Sequence, residues 1–353
     1  MIERIRVSNF KSFNELEVEL RPLNIVVGAN AAGKSNFLEI FRFLRDVSEH
    51  GVENAVSLQG GMEYLANLKI GASRPVSLEL STDSQEFLED LERWVPVDVK
   101  WRLALEVSPD APGFRVLASE LSSRGDLIEG VTRNGGGPNF FLQEFAYKLS
   151  IFDLDPKLPK RAAPITGKAD LEPDGSNLAI VLRNILQDEE RRKQLTLLIH
   201  DLLPFVADLR VDRFADKSLL ISAKESFSQE SYLPASFLSD GTIHLTALIL
   251  ALYFDKAPVV IIEEPERNIH PHLISKVAAM LADASKQKQV IVTTHNPELV
   301  KHSRLEDLLL VHRDADGFSR ISRPAENEQL KTFLENDLGV EDLYVQDLLG
   351  VGG

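Results

Sequence analysis

The alternation of apolar and polar positions predicts strands and helices in turn along most of this chain. Near the start, short apolar-rich runs predict three strands, at 2–9, 15–20 and 23–27. Helical spacing after the third strand predicts a helix of about four turns that ends near Gly51. From 75 to 130 the residues alternate in strand fashion, as at 76–80 and 101–107, which predicts an antiparallel sheet attached to this first lobe.

The rest of the chain returns to mixed strand and helix patterns. Asp174 and Ser176 are the candidate N-caps of a helix at 178–186. The further predicted helices lie at 189–203, 243–254 and 272–286, and the further predicted strands at 207–213, 218–223, 259–264 and 290–294. The run at 259–264 is apolar enough for a buried parallel strand.

These patterns predict an α/β protein in four parts. A first lobe (1–135) carries the antiparallel β subdomain, and a glycine–proline breaker at 135–138 ends it. An inserted loop and helical subdomain (136–206), a second lobe (207–325) and a C-terminal tail (326–353) follow.

Composition narrows the class of protein. The chain has 353 residues, 44% of them hydrophobic, and no cysteine. The missing cysteines exclude disulfides and thiol catalysis, and with a strand pattern directly at the N-terminus they favour a cytoplasmic protein. No apolar run reaches the ~20 residues of a membrane span. A net charge of −15 argues against broad duplex-DNA affinity and leaves a local basic groove open.

The most specific motif is GANAAGKS at 28–35, which matches the phosphate-binding loop G-x-x-x-x-G-K-[ST]. It lies between a predicted strand and a predicted helix, where backbone amides at the helix start point at an anion. In such loops Lys34 reaches the β- and γ-phosphates and the Ser35 hydroxyl holds Mg²⁺. The alternative is a glycine-rich turn between a strand and a helix, and the motifs further along the chain weaken it.

A second cluster of chemistry follows residue 235. LSDGT at 238–242 precedes a helix and, taken alone, is an ordinary helix cap. The strand at 259–264 ends in Glu263 and Glu264. In a phosphate-loop enzyme the first acid helps to hold the Mg²⁺ shell and the second polarises the attacking water. Without Lys34 upstream, two solvated acids would be the better interpretation.

His295 follows the strand at 290–294 and is placed at the same carboxyl edge, where open α/β sheets bind ligands. It can hydrogen-bond a γ-phosphate or a positioned water. The other histidines considered, His270, His272 and His302, are interpreted as structural. The basic residues of the irregular stretch are favoured as a solvated loop over a nucleic-acid contact: Lys157, Lys160, Arg161 and Lys168.

Together these motifs resemble the ATP-binding-cassette ATPase heads of the RecF, SMC and OLD-like group, above all its compact members without a coiled coil. The segment at 7–13 resembles the first strand and loop of that group, and 174–178 a recurring segment of the compact members. The remaining correspondences are Walker A at 28–35, the signature at 238–242, Walker B at 261–264, the D-loop at 265–271 and the switch histidine at His295.

The resemblance implies a P-loop NTPase fold of the ABC-ATPase head type, with a mixed sheet, and an ATPase with ATP and Mg²⁺ as cofactors. It implies nucleotide contacts at Asn30, Ala31, Ala32, Gly33, Lys34, Ser35 and Asn36, metal contacts at Ser35 and Glu263, and catalytic roles for Lys34, Glu264 and His295. It also implies a homodimer that sandwiches two ATP molecules, with Ser239 and the Gly241 amide reaching the partner's γ-phosphate.

Three positions depart from the family pattern. Walker B normally ends in Asp-Glu, whereas this chain has Glu263 before Glu264. The signature has Asp240 and Thr242 where transporters have Gly and Gln, so Asp240 has to point away from a bound phosphate. No clear Q-loop is present, and Gln59 is the weak candidate for it.

The favoured function is an ATP-driven switch that works with an effector protein, such as a nuclease, in DNA maintenance or phage defence. About 30 residues follow Arg323, too few for the Toprim nuclease domain of OLD-like proteins, so we expect the effector to be a separate partner. The apolar tail at 343–349 packs on its own head or docks that partner. The alternatives are a DNA-binding structural protein and, disfavoured by the long insert, the ATPase of a membrane transporter.

Overall fold

A computed structural model describes residues 1–88, 93–107, 113–123, 126–127, 149–166, 168–214, 217–227 and 231–326. The breaker at 135–138 and the tail beyond Glu326 lie outside these residues. The chain divides into two compact units, one formed by the residues up to Leu149 and from Ser303 onward, the other by Ser150–His302. The four-part division of the sequence stays a prediction.

Strands make up most of the first unit and recur through the second. In chain order they are β1 (Ile2–Phe10), β2 (Phe13–Glu19), β3 (Leu23–Val27), β4 (Val76–Leu88), β5 (Arg93–Val107), β6 (Phe114–Ser123), β7 (Asp126–Leu127), β8 (Leu149–Phe152), β9 (Ala163–Pro164), β10 (Val206–Phe214), β11 (Ser218–Glu225), β12 (Tyr232–Pro234), β13 (Val259–Glu263), β14 (Gln289–Thr294), β15 (Leu308–Arg313) and β16 (Ser319–Ser322).

The α-helices are α1 (Lys34–Leu58), α2 (Met62–Leu65), α3 (Leu178–Leu186), α4 (Glu189–Leu202), α5 (Asp240–Ile249), α6 (Pro271–Ala284) and α7 (Pro297–Lys301). A π-helical turn at Leu250–Phe254 continues α5, and 3-10 turns lie at Gly71–Ser73, Ala235–Phe237, Leu305–Asp307 and Pro324–Glu326. Within the described ranges, no helix has the length and apolar character needed to cross a bilayer.

The first unit contains the predicted antiparallel sheet, in the order β2-β1-β4-β5-β6-β7. In its centre Ile5 pairs with Val18 on one side and with Leu80 on the other, so apolar residues of three strands share one buried face. Strand β3 of the same unit pairs in parallel with β15, and β15 pairs antiparallel with β16. This second group is mixed, as the fold class predicts.

Helix α1 is longer than the pattern predicts. Gly51 has φ 80° and ψ 164°, which breaks the helical geometry, but a further helical segment reaches Leu58. The glycine therefore marks a kink between two segments instead of the end of the helix. The buried face of α1 meets β1, with the rings of Phe10 and Phe43 centred 6.1 Å apart.

The second unit holds the predicted parallel strand pair. Strands β13 and β14 run parallel, with Ile261 opposite Ile291 and Glu263 opposite Thr293. Every residue of β14 is buried, as is all of β13 except Glu263. Because the strands are parallel, their carboxyl ends share one edge, which confirms the predicted arrangement.

The predicted cap of α3 is wrong. Asn177, and neither Asp174 nor Ser176, occupies the N-cap position, and no side chain caps this helix. The Asp174 carboxylate accepts instead from the Ser176 amide at 2.9 Å, and the Asn177 side chain accepts from the Glu172 amide at 2.8 Å. These polar side chains stabilise the turn before the helix, where Gly175 has φ +76°.

Candidate functional site

The phosphate loop joins the buried strand β3 to α1, and its glycines are required by the geometry. A Cβ on Gly28 would overlap the Val311 carbonyl oxygen, and one on Gly33 would overlap the Ser319 hydroxyl. Gly33 also has φ +119°, a conformation that side chains disfavour. The loop therefore lies directly against the last two strands of its own unit.

Side chains from distant parts of the chain hold the backbone of this loop. The Ser319 hydroxyl donates to the Ala32 carbonyl at 2.6 Å, and the Arg313 guanidinium donates to the Ala31 carbonyl at 3.1 Å. The Lys34 ammonium donates to the carbonyl oxygens of Gly28, at 2.7 Å, and Ala29, at 3.0 Å. Sequence reasoning missed Arg313 and Ser319, because no local motif marks them.

The loop fits the phosphates of a nucleotide. Gly33 precedes α1 without a side chain to cap it, and the first turn contains no acidic residue. Helix-start amides and the Lys34 ammonium therefore present a positive end to an anion. The predicted contacts Asn30, Ala31 and Ser35 are exposed, Lys34 and Asn36 are half-buried, and Ala32 and Gly33 are buried. The exposed Ser35 hydroxyl, in the first turn, suits a magnesium ligand.

Gln59, the weak candidate for the Q-loop, lies at the other end of α1, where its amide donates to Glu39 at 3.1 Å.

In the second unit, the predicted acid and histidine meet. Glu263 ends β13, and Glu264 leaves the strand with a left-handed φ of 47°. The Glu264 amide donates to the Thr293 carbonyl at 3.0 Å, which ties it to β14. His295 follows β14, and its Nδ1 lies 2.9 Å from Glu264 Oε1. Their catalytic roles remain predictions.

A basic side chain that the sequence analysis did not single out engages the other oxygen of Glu264. The Arg267 guanidinium lies 3.3 Å from Glu264 Oε2 and 2.8 Å from Asp153 Oδ1. Both Glu264 oxygens thus have a partner within the second unit. The three-residue spacing to Glu264 is the one local signal for Arg267, whereas nothing near Asp153 marks its role.

Glu266 lies beneath this pair. It is 5% exposed, and its Oε1 accepts a short hydrogen bond from the Thr294 hydroxyl. Burial raises the pKa of the Glu266 carboxyl, and the neighbouring Glu264 raises it further. Within the described ranges, its second oxygen, Oε2, is buried without a hydrogen-bond partner.

The histidines interpreted as structural have local contacts. His270 caps α6, and its Nδ1 lies 2.6 Å from that of His272. His302 ends α7, with Nε2 3.9 Å from Glu298. In the described part of the chain, no group of three or more acidic or histidine side chains has the arrangement of a metal site.

The signature segment begins α5. Ser239 is its N-cap, and its hydroxyl accepts from the Thr242 amide at 3.0 Å. Gly241 follows as the second helical residue, where an amide has no intrahelical partner. The Asn268 carbonyl lies so close to Gly241 that an added Cβ would approach it to 2.8 Å. The start of α5 is therefore in direct contact with the predicted D-loop.

The charge of Asp240 is compensated. Lys160 Nζ lies 2.5 Å from Asp240 Oδ1, and both side chains are partly buried. Lys160 is thus an ion-pair partner, whereas the sequence analysis grouped it with a solvated loop. Lys168 pairs with Glu172 at 2.7 Å. A paired Asp240 is consistent with the requirement that it not repel a phosphate.

His244 connects α5 to the residue after Glu264. Its Nε2 lies 3.0 Å from the Pro265 carbonyl oxygen. Burial lowers the pKa of His244 to about 4, so the ring is neutral and Nε2 carries the donated hydrogen. Its other nitrogen, Nδ1, is buried without a partner among the described residues.

A phosphate loop after a buried strand, with an acid–histidine pair at the edge of parallel strands, defines a P-loop NTPase. Residues 23–301 match the family described as "AAA domain, putative AbiEii toxin, Type IV TA system". This match covers more than half of the chain, and the chain belongs to that family.

The curated relatives include nucleotide phosphatases and nucleases. The chain is 19% identical over 327 residues to an ATP/GTP phosphatase of Helicobacter pylori, covering 85% of this chain and 87% of that protein. It is 23% identical to the OLD nuclease of Thermus scotoductus, over 95% of this chain and 66% of the relative. For the endonuclease GajA of Bacillus cereus, identity is 21%, over 87% of this chain and 57% of the relative. The chain thus spans less than two thirds of the length of these two nucleases.

Solved structures of SMC heads share the fold. An Smc head bound to the C-terminal winged-helix domain of ScpA superposes with a TM-score of 0.59 at 17% identity, covering 91% of this chain and 96% of that one. An Smc head from Pyrococcus furiosus with an extended coiled coil, bound to the C-terminal domain of ScpA, gives 0.58 at 14% identity, covering 95% and 99%.

The predicted resemblance to the RecF, SMC and OLD-like group is confirmed, as is the fold class. The chain is an ATPase of this group, which confirms the predicted enzyme class. The particular residue roles stay predictions.

Proposed function

We propose that this chain is a Mg-ATP-driven switch that hydrolyses ATP as a head-to-head homodimer and acts on a partner protein. The contact between Glu264 and His295, 2.9 Å apart beyond the ends of two parallel strands, carries the proposal. A carboxylate within hydrogen-bond reach of a water can accept its proton, and the histidine would hold that carboxylate in place. The phosphate loop supplies the complementary anion site.

Each group has a defined part in hydrolysis. The amides of 30–36 and Lys34 bind the phosphates, and Ser35 and Glu263 are the residues that would hold Mg²⁺, which neutralises phosphate charge when bound. Glu264 accepts a proton from the attacking water while the oxygen of that water forms a bond to the γ-phosphorus. The bond from that phosphorus to the bridging oxygen breaks, giving ADP and phosphate. His295 keeps Glu264 directed at the water.

Separate observations support the homodimer and the partner. The exposed Ser239 and the second-residue amide of Gly241 form a helix start with the charge of Asp240 paired to Lys160, which suits the γ-phosphate of another copy. Two relatives are named as nucleases, which supports a nuclease as the kind of effector this chain acts on. An ATP-driven switch of this kind works in the cytoplasm, where ATP is made and used.

Two single substitutions test the proposal. Lys34→Ala should weaken ATP binding by about 100-fold or more, since it removes the charged donor to the phosphates. Glu264→Gln should keep ATP binding and lose about 100-fold or more in turnover, since an amide cannot accept the proton. Phosphate release and nucleotide affinity, measured on the same preparations, separate these outcomes. Normal ATP affinity in Lys34→Ala would refute the phosphate-loop assignment, and normal turnover in Glu264→Gln would refute the base.

A further inference from the structure

A chain of hydrogen bonds runs from the buried carboxyl of Glu266 to the turn that carries His295. The Thr294 hydroxyl donates to Glu266 Oε1, and the same hydroxyl oxygen accepts from the Asn296 amide at 2.9 Å. Thr294 is fully buried and immediately precedes His295. The two residues flanking His295 are therefore fixed by one buried side chain.

The direction of these bonds matters. A threonine hydroxyl has a single hydrogen, so donation to Glu266 turns its lone pairs toward the Asn296 amide. Without an acceptor at position 266, the hydroxyl is free to rotate and the Asn296 amide loses a fixed partner. The backbone of 294–296 then has fewer constraints, although His295 itself is exposed and untouched.

Glu266 is a poor choice for stability alone. Its Oε2 is buried without a hydrogen-bond partner in the described part of the chain, and a buried polar atom left without a partner costs free energy. An apolar side chain of similar size would avoid that cost. A carboxyl kept here despite the cost is consistent with a role in the chemistry above it.

We propose that Glu266 is a positioning residue for ATP hydrolysis: through Thr294 it holds the turn that places His295 in hydrogen-bond reach of Glu264. The inference rests on the proposed function, because it assigns no chemistry of its own to Glu266. It predicts a defect in turnover that leaves nucleotide binding intact.

The first test removes one hydroxyl and has a matched control in the adjacent residue. Thr294→Val keeps the shape and deletes the hydroxyl, so kcat should fall about 10- to 100-fold, the usual effect of losing a partner that orients a functional side chain. KM for ATP and nucleotide affinity should not change. Thr294→Ser keeps the hydroxyl and should therefore keep most of the wild-type kcat. Thr293→Val is the control, since the buried Thr293 hydroxyl has no hydrogen-bond partner among the described residues.

The second test changes the acceptor. Glu266→Gln retains an oxygen for Thr294 and should keep most of kcat, whereas Glu266→Leu should match Thr294→Val. The double variant Glu266→Leu/Thr294→Val should be no slower than the worse single variant, because both remove the same contact. Thermal melting of each variant checks that the fold is retained.

The outcomes separate this inference from the proposed function. If wild-type protein hydrolyses ATP and Glu264→Gln does not, the function stands. Wild-type kcat in Thr294→Val would then overturn the positioning role alone. Equal losses in Thr294→Val and Thr293→Val, or multiplied losses in the double variant, would also overturn it, since both indicate a general packing effect.

Discussion

Glu264 is constrained at every part of its structure. Its backbone has a left-handed φ of 47°, one carboxylate oxygen is bound to His295, and the other faces Arg267. A side chain so fixed needs little reorganisation when a water is placed before it, which is how preorganised sites lower barriers. Arg267, itself paired with Asp153, would compete with such a water for Glu264 Oε2.

Substitution of Lys160 tests whether the ion pair with Asp240 affects ATP-dependent dimerisation. Lys160→Met retains the aliphatic stem and leaves Asp240 unpaired at the first residue of α5. An acid there favours the helix, so the fold should persist. A γ-phosphate approaching the same helix start would be repelled, and we expect ATP-dependent dimerisation to weaken several-fold, by about 1 kcal/mol, the scale of one partly exposed charge pair.

The dissociation constant of the ATP-bound dimer, measured at low and high salt, checks this. The loss should shrink in high salt because screening reduces the repulsion. Lys168→Met is the control, since it breaks a pair with Glu172 elsewhere in the same stretch. A dimer equally strong in both variants would show that the charge of Asp240 is not sensed by the nucleotide.

At the scale of elements, the turn at 264–268 joins three of them. It follows β13, its Pro265 carbonyl accepts from His244 on α5, and its Glu266 binds Thr294 at the end of β14. Asn268 closes the turn against Gly241. The start of α5 and the acid–histidine pair are thus connected through contacts of five consecutive residues.

The buried His244 makes the stability of the fold dependent on pH. Burial, with a smaller contribution from the charge of Arg267, lowers its pKa from 6.5 to about 4. The unfolded chain therefore binds a proton between pH 6.5 and 4 that the folded chain excludes. The free energy of unfolding is therefore unaffected by His244 above pH 6.5. It falls as pH is lowered from 6.5 toward 4, by up to about 3 kcal/mol.

The His244→Gln variant isolates this effect, because its amide can still donate to Pro265 and does not titrate. Urea unfolding of both proteins at pH 7, 6, 5 and 4 should show wild type losing stability faster than the variant as pH falls. Titration of the carboxyl groups is common to both proteins and cancels in the difference. Parallel curves would mean that His244 has the same pKa in the folded and the unfolded protein.

Sequence patterns predicted the local structure better than the contacts between distant residues. The phosphate loop, the parallel strands β13 and β14, and the shared edge of Glu264 and His295 follow from short apolar runs and one dense motif. The pairing of Arg267 with Asp153 joins residues more than a hundred positions apart. Such pairs depend on how the chain folds back, which periodicity does not encode.

Composition likewise did not predict which polar residues form hydrogen bonds within turns and which cap helices. Asp174, Ser176 and Asn177 are all good caps by residue type, and the choice among them depends on the left-handed Gly175. Lys160 belongs to a stretch whose net charge indicates solvation, yet its partner Asp240 lies eighty residues further on. Neither distinction is available before the fold is known.

The whole molecule has the fold of an SMC head and a net charge of −15. Two such chains repel one another at long range, so a ligand that bridges the contact would favour the proposed pair. Mg-ATP held by the phosphate loop of one copy and the start of α5 of the other would supply it. Release of phosphate would then return the balance to repulsion, which suits a switch.

Solution mass tests this picture directly. Glu264→Gln retains ATP, so light scattering should show its mass doubling when Mg-ATP is added. Ser239→Arg in the same background should remain a monomer, because a bulky cation fills the helix start. Ser239→Ala separates added bulk from lost hydroxyl: it loses the cap, about 1 kcal/mol of helix stability, and the hydroxyl's proposed contact with the γ-phosphate, so it should dimerise more weakly than Glu264→Gln alone but more strongly than Ser239→Arg. If the solution mass of Glu264→Gln does not change when Mg-ATP is added, the ATP-bound homodimer is contradicted. Turnover can then be examined with co-purified partners.

The left-handed backbone at Glu264 has a consequence for how this protein adapts. A glycine or asparagine at that position would relieve the strain and increase stability, at the loss of the carboxylate. Stability and activity therefore favour different residues at the same site. A substitution chosen only to raise stability would therefore remove the carboxylate that the proposed hydrolysis needs.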